Sequence, residues 1–288
     1  MTKRILWTLA ATTLLLGACQ EQPAVDAASQ QAQTTQAQST QTAQPNAATQ
    51  SPTMDGHPDL NGIWQAMNTA NWNLEAHSAE PLDKFWQMGA IAAIPASKSF
   101  VHEGTIPYLP AALEKRNENR ANWPKADPEA NCYMLGVPRV TYHDMPFQIF
   151  QSPGDDIFMV YPFAATNRVI NMDDVTEAPI DSWMGKSNGS WEGDVLVIKT
   201  VNQNGMSWFD RAGNHASYKL VVTERFAMQG PDHILYEATL EDPDTFSAPW
   251  TISMPLYRNI EQNAQLLEHK CVPFADKLLY SDLLGLDE

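Results

Sequence analysis

Residues 218–257 read YKLVVTERFA MQGPD HILYEATL EDPDTFSAP WTISMPLY, and this stretch decides the expected fold. In its last segment apolar residues recur at every second position, at Trp250, Ile252, Met254 and Leu256. A period of two predicts a strand with one buried face. Residues 218–227 and 233–240 also resemble strands and flank a Gly-Pro-Asp turn. Consecutive strands joined by short turns predict an antiparallel meander.

Further strand patterns extend this meander toward both ends of the chain. They cover residues 60–64, 147–151, 157–161, 167–172, 194–201 and 266–272. About eight to ten strands in one region favour a single mainly β domain over residues 54–288, closed into a barrel or a barrel-like sandwich. Two or three short helices are expected on its N-terminal side, with candidates at 82–93 and at 111–123 after Pro110.

The N-terminus has the features of an export signal. Lys3 and Arg4 precede an uncharged apolar run over residues 5–16, which is too short to cross about 30 Å of hydrocarbon. The sequence Leu-Gly-Ala-Cys that ends at Cys19 resembles the lipobox of bacterial lipoproteins. That resemblance implies a signal peptide over residues 1–18 and acylation of Cys19. Gln20 follows where an Asp would favour the inner membrane, so we expect an outer-membrane anchor facing the periplasm.

Residues 19–53 differ in composition from the rest of the chain. They are rich in Gln, Ala and Thr, contain no aromatic residue, and are predicted to be a disordered tether. A random coil of this length would span about 30 Å on average. An Ala/Gln helix is the alternative, which the prolines at 23, 45 and 52 disfavour.

Charge and composition exclude several classes of partner. The formal net charge is −16, which argues against binding to nucleic acid and against docking on anionic lipid through basic patches. The seven histidines are scattered singly, and no familiar metal or nucleotide motif appears. We therefore expect no metal and no cofactor. With Cys19 assigned to lipid, the other two cysteines are Cys132 and Cys271. An exported protein can form a disulfide between them, and two free thiols are the alternative.

Residues 183–226 contain the polar groups that are the best candidates for chemistry. As general acid–base groups of an enzyme, four carboxylates are candidates: Glu192, Asp194, Asp210 and Glu224. Each also has a structural explanation, because Gly193 and Gly213 place three of them in turns. Glu224 and Arg225 are neighbours on a strand, so one of them faces inward and needs a partner, for which Arg139 or Arg225 are candidates.

Tryptophans and arginines supply the candidates for ligand contact. We name Trp191, Trp208, Arg139 and Arg225, because an aromatic ring can line an apolar cavity and a buried cation can orient a ligand. The alternative is that the tryptophans fill the core.

Several short blocks occur in an order that resembles a large family of exported bacterial proteins without an agreed function. They are Cys132-Tyr-Met-Leu-Gly-Val-Pro-Arg139, Trp191-Glu-Gly-Asp194, Asp210-Arg-Ala-Gly-Asn214, Glu224-Arg-Phe226, and Asp242-Pro243 before Pro249-Trp250. The resemblance covers nearly all of residues 59–275 and implies an exported, mostly β domain. Ala216 and Val221 stand where the family often has histidine. Gly62-x-Trp64 is also similar to the first strand of lipocalin-like barrels.

These patterns favour a lipid-anchored envelope protein that binds a small, largely apolar molecule in a β-lined cavity. The alternatives are a metal-independent hydrolase or isomerase/lyase that uses carboxylates, and an envelope module that binds another protein. The expected partners are the bilayer, through acylated Cys19, and the apolar ligand.

Overall fold

The computed structural model describes residues 53, 55–81, 93–154, 156–173 and 178–273. The expected signal peptide, Cys19 and nearly all of the tether lie outside the described residues. So do residues 82–92 of the first expected helix.

The described chain forms a closed barrel of nine strands and a separate pair of short strands. In chain order the strands are β1 (Gly62–Gln65), β2 (Glu80–Pro81), β3 (Ala93–Ile94), β4 (Phe147–Phe150), β5 (Ile157–Tyr161), β6 (Thr166–Asn171), β7 (Lys186–Glu192), β8 (Val195–Val201), β9 (Val221–Gly230), β10 (His233–Glu241) and β11 (Trp250–Arg258). The barrel order is β1-β11-β10-β9-β8-β7-β6-β5-β4, with β1 also paired to β4, whereas β2 and β3 pair with each other. The mainly β barrel that the sequence predicts is confirmed.

Helical structure in the described residues is limited to one α-helix and two 3₁₀ turns. Helix α1 spans Pro110–Ala121 and has Pro110 in its first turn, as expected. The 3₁₀ turns are Arg139–Thr141 and Phe163–Ala165. No helix in this part of the chain is long and apolar enough to span a bilayer.

One strand prediction was wrong, and one barrel strand was missed. Residues 266–272 form no strand, because every barrel strand already has two neighbours and Cys271 is bonded to Cys132. Strand β7 was missed because Lys186–Glu192 is poor in apolar residues. It forms by pairing along its length with the β-branched β8, from Lys186 opposite Val201 to Glu192 opposite Val195.

The meander is also interrupted once. Strands β6 and β7 run parallel and pair only through Ile170 with Ser187 and Asn171 with Asn188. The parallel direction requires a crossover between the end of β6 at Asn171 and the start of β7 at Lys186. Every other neighbouring pair in the barrel is antiparallel. With two residue pairs, the β6–β7 junction is one of the two shortest pairings in the wall, together with the β1–β11 junction.

Side chains fill the barrel interior. Alternate residues of each strand point inward, and large ones such as Trp64, Phe147, Phe226 and Tyr236 are fully buried. One barrel end carries the short turns between β4 and β5, β7 and β8, and β9 and β10, and we call it the turn end. The other, the loop end, carries the long segments between β1 and β4, β8 and β9, and β10 and β11.

Arg258 helps to close the turn end. Its guanidinium lies 4.3 Å above the ring of Trp64. It donates from Nε to the carbonyl oxygen of Pro231 at 2.9 Å and from Nη2 to that of Asp59 at 3.1 Å. Burial lowers the pKa of Arg258 despite the nearby carboxylates of Asp59 and Asp232. These contacts join the last strand to the segment that precedes the first.

Candidate functional site

A buried ion pair lies inside the barrel between Glu224 of β9 and Arg168 of β6. Because Val222, Glu224 and Phe226 are the buried residues of an alternating strand, Glu224 points inward and is fully buried. Arg168 Nη2 contacts Glu224 Oε2. We call Arg168 and Glu224 the barrel ion pair.

Hydroxyl groups surround the barrel ion pair. Tyr236 donates its hydroxyl to Glu224 Oε1 at 2.8 Å. Arg168 donates from Nε to Ser187 Oγ at 2.8 Å and from Nη2 to Thr200 Oγ1 at 2.7 Å. Burial raises the pKa of Tyr236 well above its usual value, and the Glu224 carboxylate raises it further. The Tyr236 phenol therefore stays protonated and acts as a donor.

Arg168 remains charged although it is buried. Burial lowers its pKa, but the Glu224 carboxylate outweighs burial and the net shift is upward. Its remaining guanidinium nitrogen, Nη1, is buried and has no hydrogen-bond partner in the described part of the chain. A buried donor without a partner costs about 1–3 kcal/mol. The buried Arg168 guanidinium therefore keeps an unused hydrogen-bond donor at Nη1.

Of the neighbours Glu224 and Arg225, one of which was expected to face inward, Glu224 is the inward one, and its partner is neither Arg139 nor Arg225. Arg168 was missed as a candidate. The signal was present, because Thr166, Arg168 and Ile170 alternate with more exposed residues along β6. A residue that shares a face with Ile170 in a half-buried strand points inward.

Arg139 belongs to a second buried network, at the loop end. Its guanidinium donates to both oxygens of Asp127, at 2.9 and 3.2 Å, and to Asn71 Oδ1 at 2.8 Å, and also contacts Glu129. Arg211 donates to Glu129 at 2.6 and 2.9 Å. We call Asp127, Glu129, Arg139 and Arg211 the cap cluster. Its bonds hold the long loops together, so Arg139 has a structural role here.

The cap cluster should make the protein sensitive to acid. Burial raises the pKa of Glu129, but Arg139, His143 and Arg211 outweigh burial and hold that pKa well below its ordinary value of 4.5. The stability that ionised Glu129 contributes is present above pH 4.5 and lost as the pH falls below it. We expect Glu129→Gln to flatten the fall in unfolding free energy between about pH 5 and 3.

Chemical denaturation at a series of pH values measures this effect. Glu118→Gln, on the exposed face of α1, is the control and should keep the wild-type pH profile. Asp210 acts in the opposite sense, because burial raises its pKa and acid then favours its folded state. An unchanged profile for Glu129→Gln would rule out this source of acid sensitivity.

Asp210 holds the loop between β8 and β9. Its fully buried carboxylate accepts hydrogen bonds from the backbone N–H groups of Leu74 at 2.9 Å, Ala212 at 3.0 Å and Asn214 at 3.2 Å. The side-chain amide of Asn214 also donates to it at 2.6 Å. These four bonds occupy the oxygens of Asp210.

The remaining candidates lie at the surface or in loops. Glu192 pairs with Arg225 at 2.9 Å, with both side chains largely exposed, and Asp194 is exposed in the adjacent turn. Trp191 stacks on the ring of His57 at 4.3 Å, and Trp208 is buried in the loop after β8. The four candidate carboxylates thus occupy three separate places: the surface turn, the loop and the barrel interior.

A cleft of about 390 Å³ lies at the β6–β7 seam. Its lining consists of residues 167–169, 171, 178, 179 and 184–187. Val169, Ala178, Pro179 and Met184 supply apolar surface. The lining also includes Arg168 and Ser187, whose side chains bond to each other. The cleft forms where the two strands separate beyond their short parallel pairing.

The described residues include no group of three or more His, Cys, Asp or Glu side chains placed to hold a metal ion. In the cap cluster, the oxygens of Asp127 and Glu129 instead accept hydrogen bonds from arginine guanidinium groups. Compared with known proteins, the chain matches no family model, no curated protein and no solved structure.

Proposed function

We propose that the protein is a lipid-anchored protein of the cell envelope that binds a small, largely apolar molecule at the β6–β7 cleft. The observation that carries this proposal is the cleft itself. Its volume of about 390 Å³ lies within the roughly 300–1,000 Å³ range of small-molecule sites. Its lining combines the apolar side chains of Val169, Ala178, Pro179 and Met184 with the polar side chains of Asn167, Arg168, Asn171, Lys186 and Ser187. Small-molecule sites likewise combine apolar surface with polar groups that orient the ligand.

The seam explains why a ligand site would form here. Two pairs of residues join β6 to β7, whereas seven pairs join β7 to β8. A wall with few cross-strand hydrogen bonds can separate at low cost, so a ligand can enter without breaking an antiparallel ladder. The cell-envelope part of the proposal rests on the lipobox resemblance at Cys19.

Acid–base catalysis has less support than binding. Two catalytic carboxylates would need to face one cavity, and the four candidates lie in three places. Glu224 is the only one of the four inside the barrel, and Arg168 and Tyr236 already bond to it. These contacts occupy both carboxylate oxygens of Glu224 with groups of the barrel wall.

Ligand binding can be read from the intrinsic fluorescence of the full chain. Trp183 precedes Met184 of the cleft and stacks on Tyr133 with ring centroids 4.9 Å apart. We expect at least one member of a panel of apolar molecules to change this fluorescence with saturation. Ala178→Phe fills part of the cleft and should weaken that binding at least about tenfold, which corresponds to 1.4 kcal/mol.

Ala111→Phe is the matched control, because it adds the same side chain at an exposed position of α1, away from the cleft. It should bind the panel as the wild type does. Absence of a saturable signal from every member, or equal weakening by both variants, would reject the β6–β7 cleft as the site.

A further inference from the structure

Three exposed apolar side chains lie side by side on the outer wall of the barrel. They are Phe150 of β4, Phe158 of β5 and Val169 of β6, and we call them the outer stripe. Phe150 is directly opposite Phe158, and Phe158 is directly opposite Val169. Their exposed fractions are 46%, 49% and 41%. Outward positions of an antiparallel wall are normally polar because they face water, so this row calls for an explanation.

The apolar surface continues past the outer stripe toward the cleft. Val169 belongs both to the stripe and to the cleft lining, which also contains exposed Pro179. Ile180, the next residue, is 76% exposed. An apolar path therefore connects the stripe with the proposed ligand site.

The chain enters the barrel next to the outer stripe. Gln151, which follows Phe150, accepts a hydrogen bond at Oε1 from the Leu60 N–H at 2.9 Å. Its carbonyl oxygen accepts another from Asn61 Nδ2 at 3.0 Å, and its own Nε2 donates to the Pro58 carbonyl oxygen at 3.2 Å. The described residues that lead into β1 are thus bonded to the residue that follows β4, next to Phe150.

We propose that the outer stripe rests on the lipid surface into which acylated Cys19 inserts. This inference depends on the lipid anchor of the proposed function. Three partly exposed side chains offer far less than the roughly 800 Å² per partner that a stable protein interface buries. A contact made by a domain tethered to an anchor needs much less area, because the tether keeps the local concentration of membrane high.

Charge decides which lipid fits. The net charge of −16 opposes a strongly anionic surface, so the contact is apolar and takes mainly zwitterionic lipid. The Phe side chains would enter the boundary between headgroups and acyl chains, as the apolar faces of interfacial proteins do. The path from Val169 to Pro179 would then lead an apolar ligand from the bilayer to the cleft.

The test uses the full lipidated chain in phosphatidylethanolamine vesicles with a small fraction of phosphatidylglycerol. A fluorophore is placed on Phe158→Cys or on Lys199→Cys, an exposed outward position of β8. Cys132 and Cys271 are bonded to each other and Cys19 carries lipid, so the introduced thiol is the one that reacts. Brominated acyl chains should quench the label at 158 about fivefold more than the label at 199, because quenching requires contact with acyl chains.

Flotation of the same samples separates two ways of failing. If the chain does not float with vesicles, the anchor is wrong and the inference fails with it. If the chain floats but both labels are quenched equally or not at all, the anchor stands and the contact of the stripe with lipid is rejected. Quenching at 158 that Phe150→Ser reduces would support the stripe as the contact surface.

Discussion

Glu224→Gln is expected to lower the free energy of unfolding by about 3–5 kcal/mol, because it leaves Arg168 as an uncompensated buried charge. The substitution keeps the size of the side chain and an oxygen that can accept from Tyr236. The loss therefore reports the missing charge rather than a cavity. Chemical denaturation of the full chain, followed by tryptophan fluorescence, measures it.

Two further variants identify the ion pair as the cause. Arg168→Met with Glu224→Gln removes both charges and should recover part of the stability that Glu224→Gln loses. Arg225→Gln is the matched control, because Arg225 is adjacent in sequence but faces outward to Glu192, and its loss should cost less than about 1 kcal/mol. Equal losses for Glu224→Gln and Arg225→Gln would contradict a buried, structurally required pair.

Removal of the disulfide is the second change with a large expected effect. Cys132 and Cys271 are bonded across 139 residues of sequence, with their Cα atoms 5.6 Å apart. In the chain-entropy account, opening so long a loop costs about 5 kcal/mol. The double variant Cys132→Ser with Cys271→Ser should therefore unfold at a much lower denaturant concentration than the wild type.

A reductant provides the control for the disulfide prediction. It should lower the stability of the wild type toward that of the double variant and leave the double variant unchanged. The bond also fixes Cys132, which follows shortly after Asp127 and Glu129 of the cap cluster, to the segment after β11. We therefore expect faster amide exchange at residues 127–133 in the double variant. A wild-type melt that reductant does not shift would refute this stabilising role.

Periodicity located the strands where one face is buried and failed where pairing alone makes a strand. Strand β11 follows the predicted alternation from Trp250 to Leu256, with the buried residues at the expected positions. Strand β7 has no such alternation of apolar residues, and its backbone is held by the ladder to β8. The local sequence indicates which side chains are buried, whereas backbone pairing depends on which neighbouring strand lies alongside in the folded chain.

The candidate site was predicted less well than the fold, for a related reason. The sequence shows that Glu224 or Arg225 must face inward, because neighbours on a strand point to opposite sides. It does not show which cation will meet an inward carboxylate, because Arg168 lies 56 positions away. Arg139 was a reasonable candidate, but its guanidinium donates to the carboxylate of Asp127 in the cap cluster instead.

By itself the sequence determined the class of fold, most of the strands, the inward charge and the two cysteines available for a disulfide. These features follow from the order of apolar and polar side chains along the chain, because that order decides which side chains are buried. Only the tertiary structure decided the parallel seam between β6 and β7, the partner of Glu224 and the cleft beside them. Those features depend on which segments lie close together once the barrel has closed. The alternation of apolar and polar residues along one strand carries no information about that.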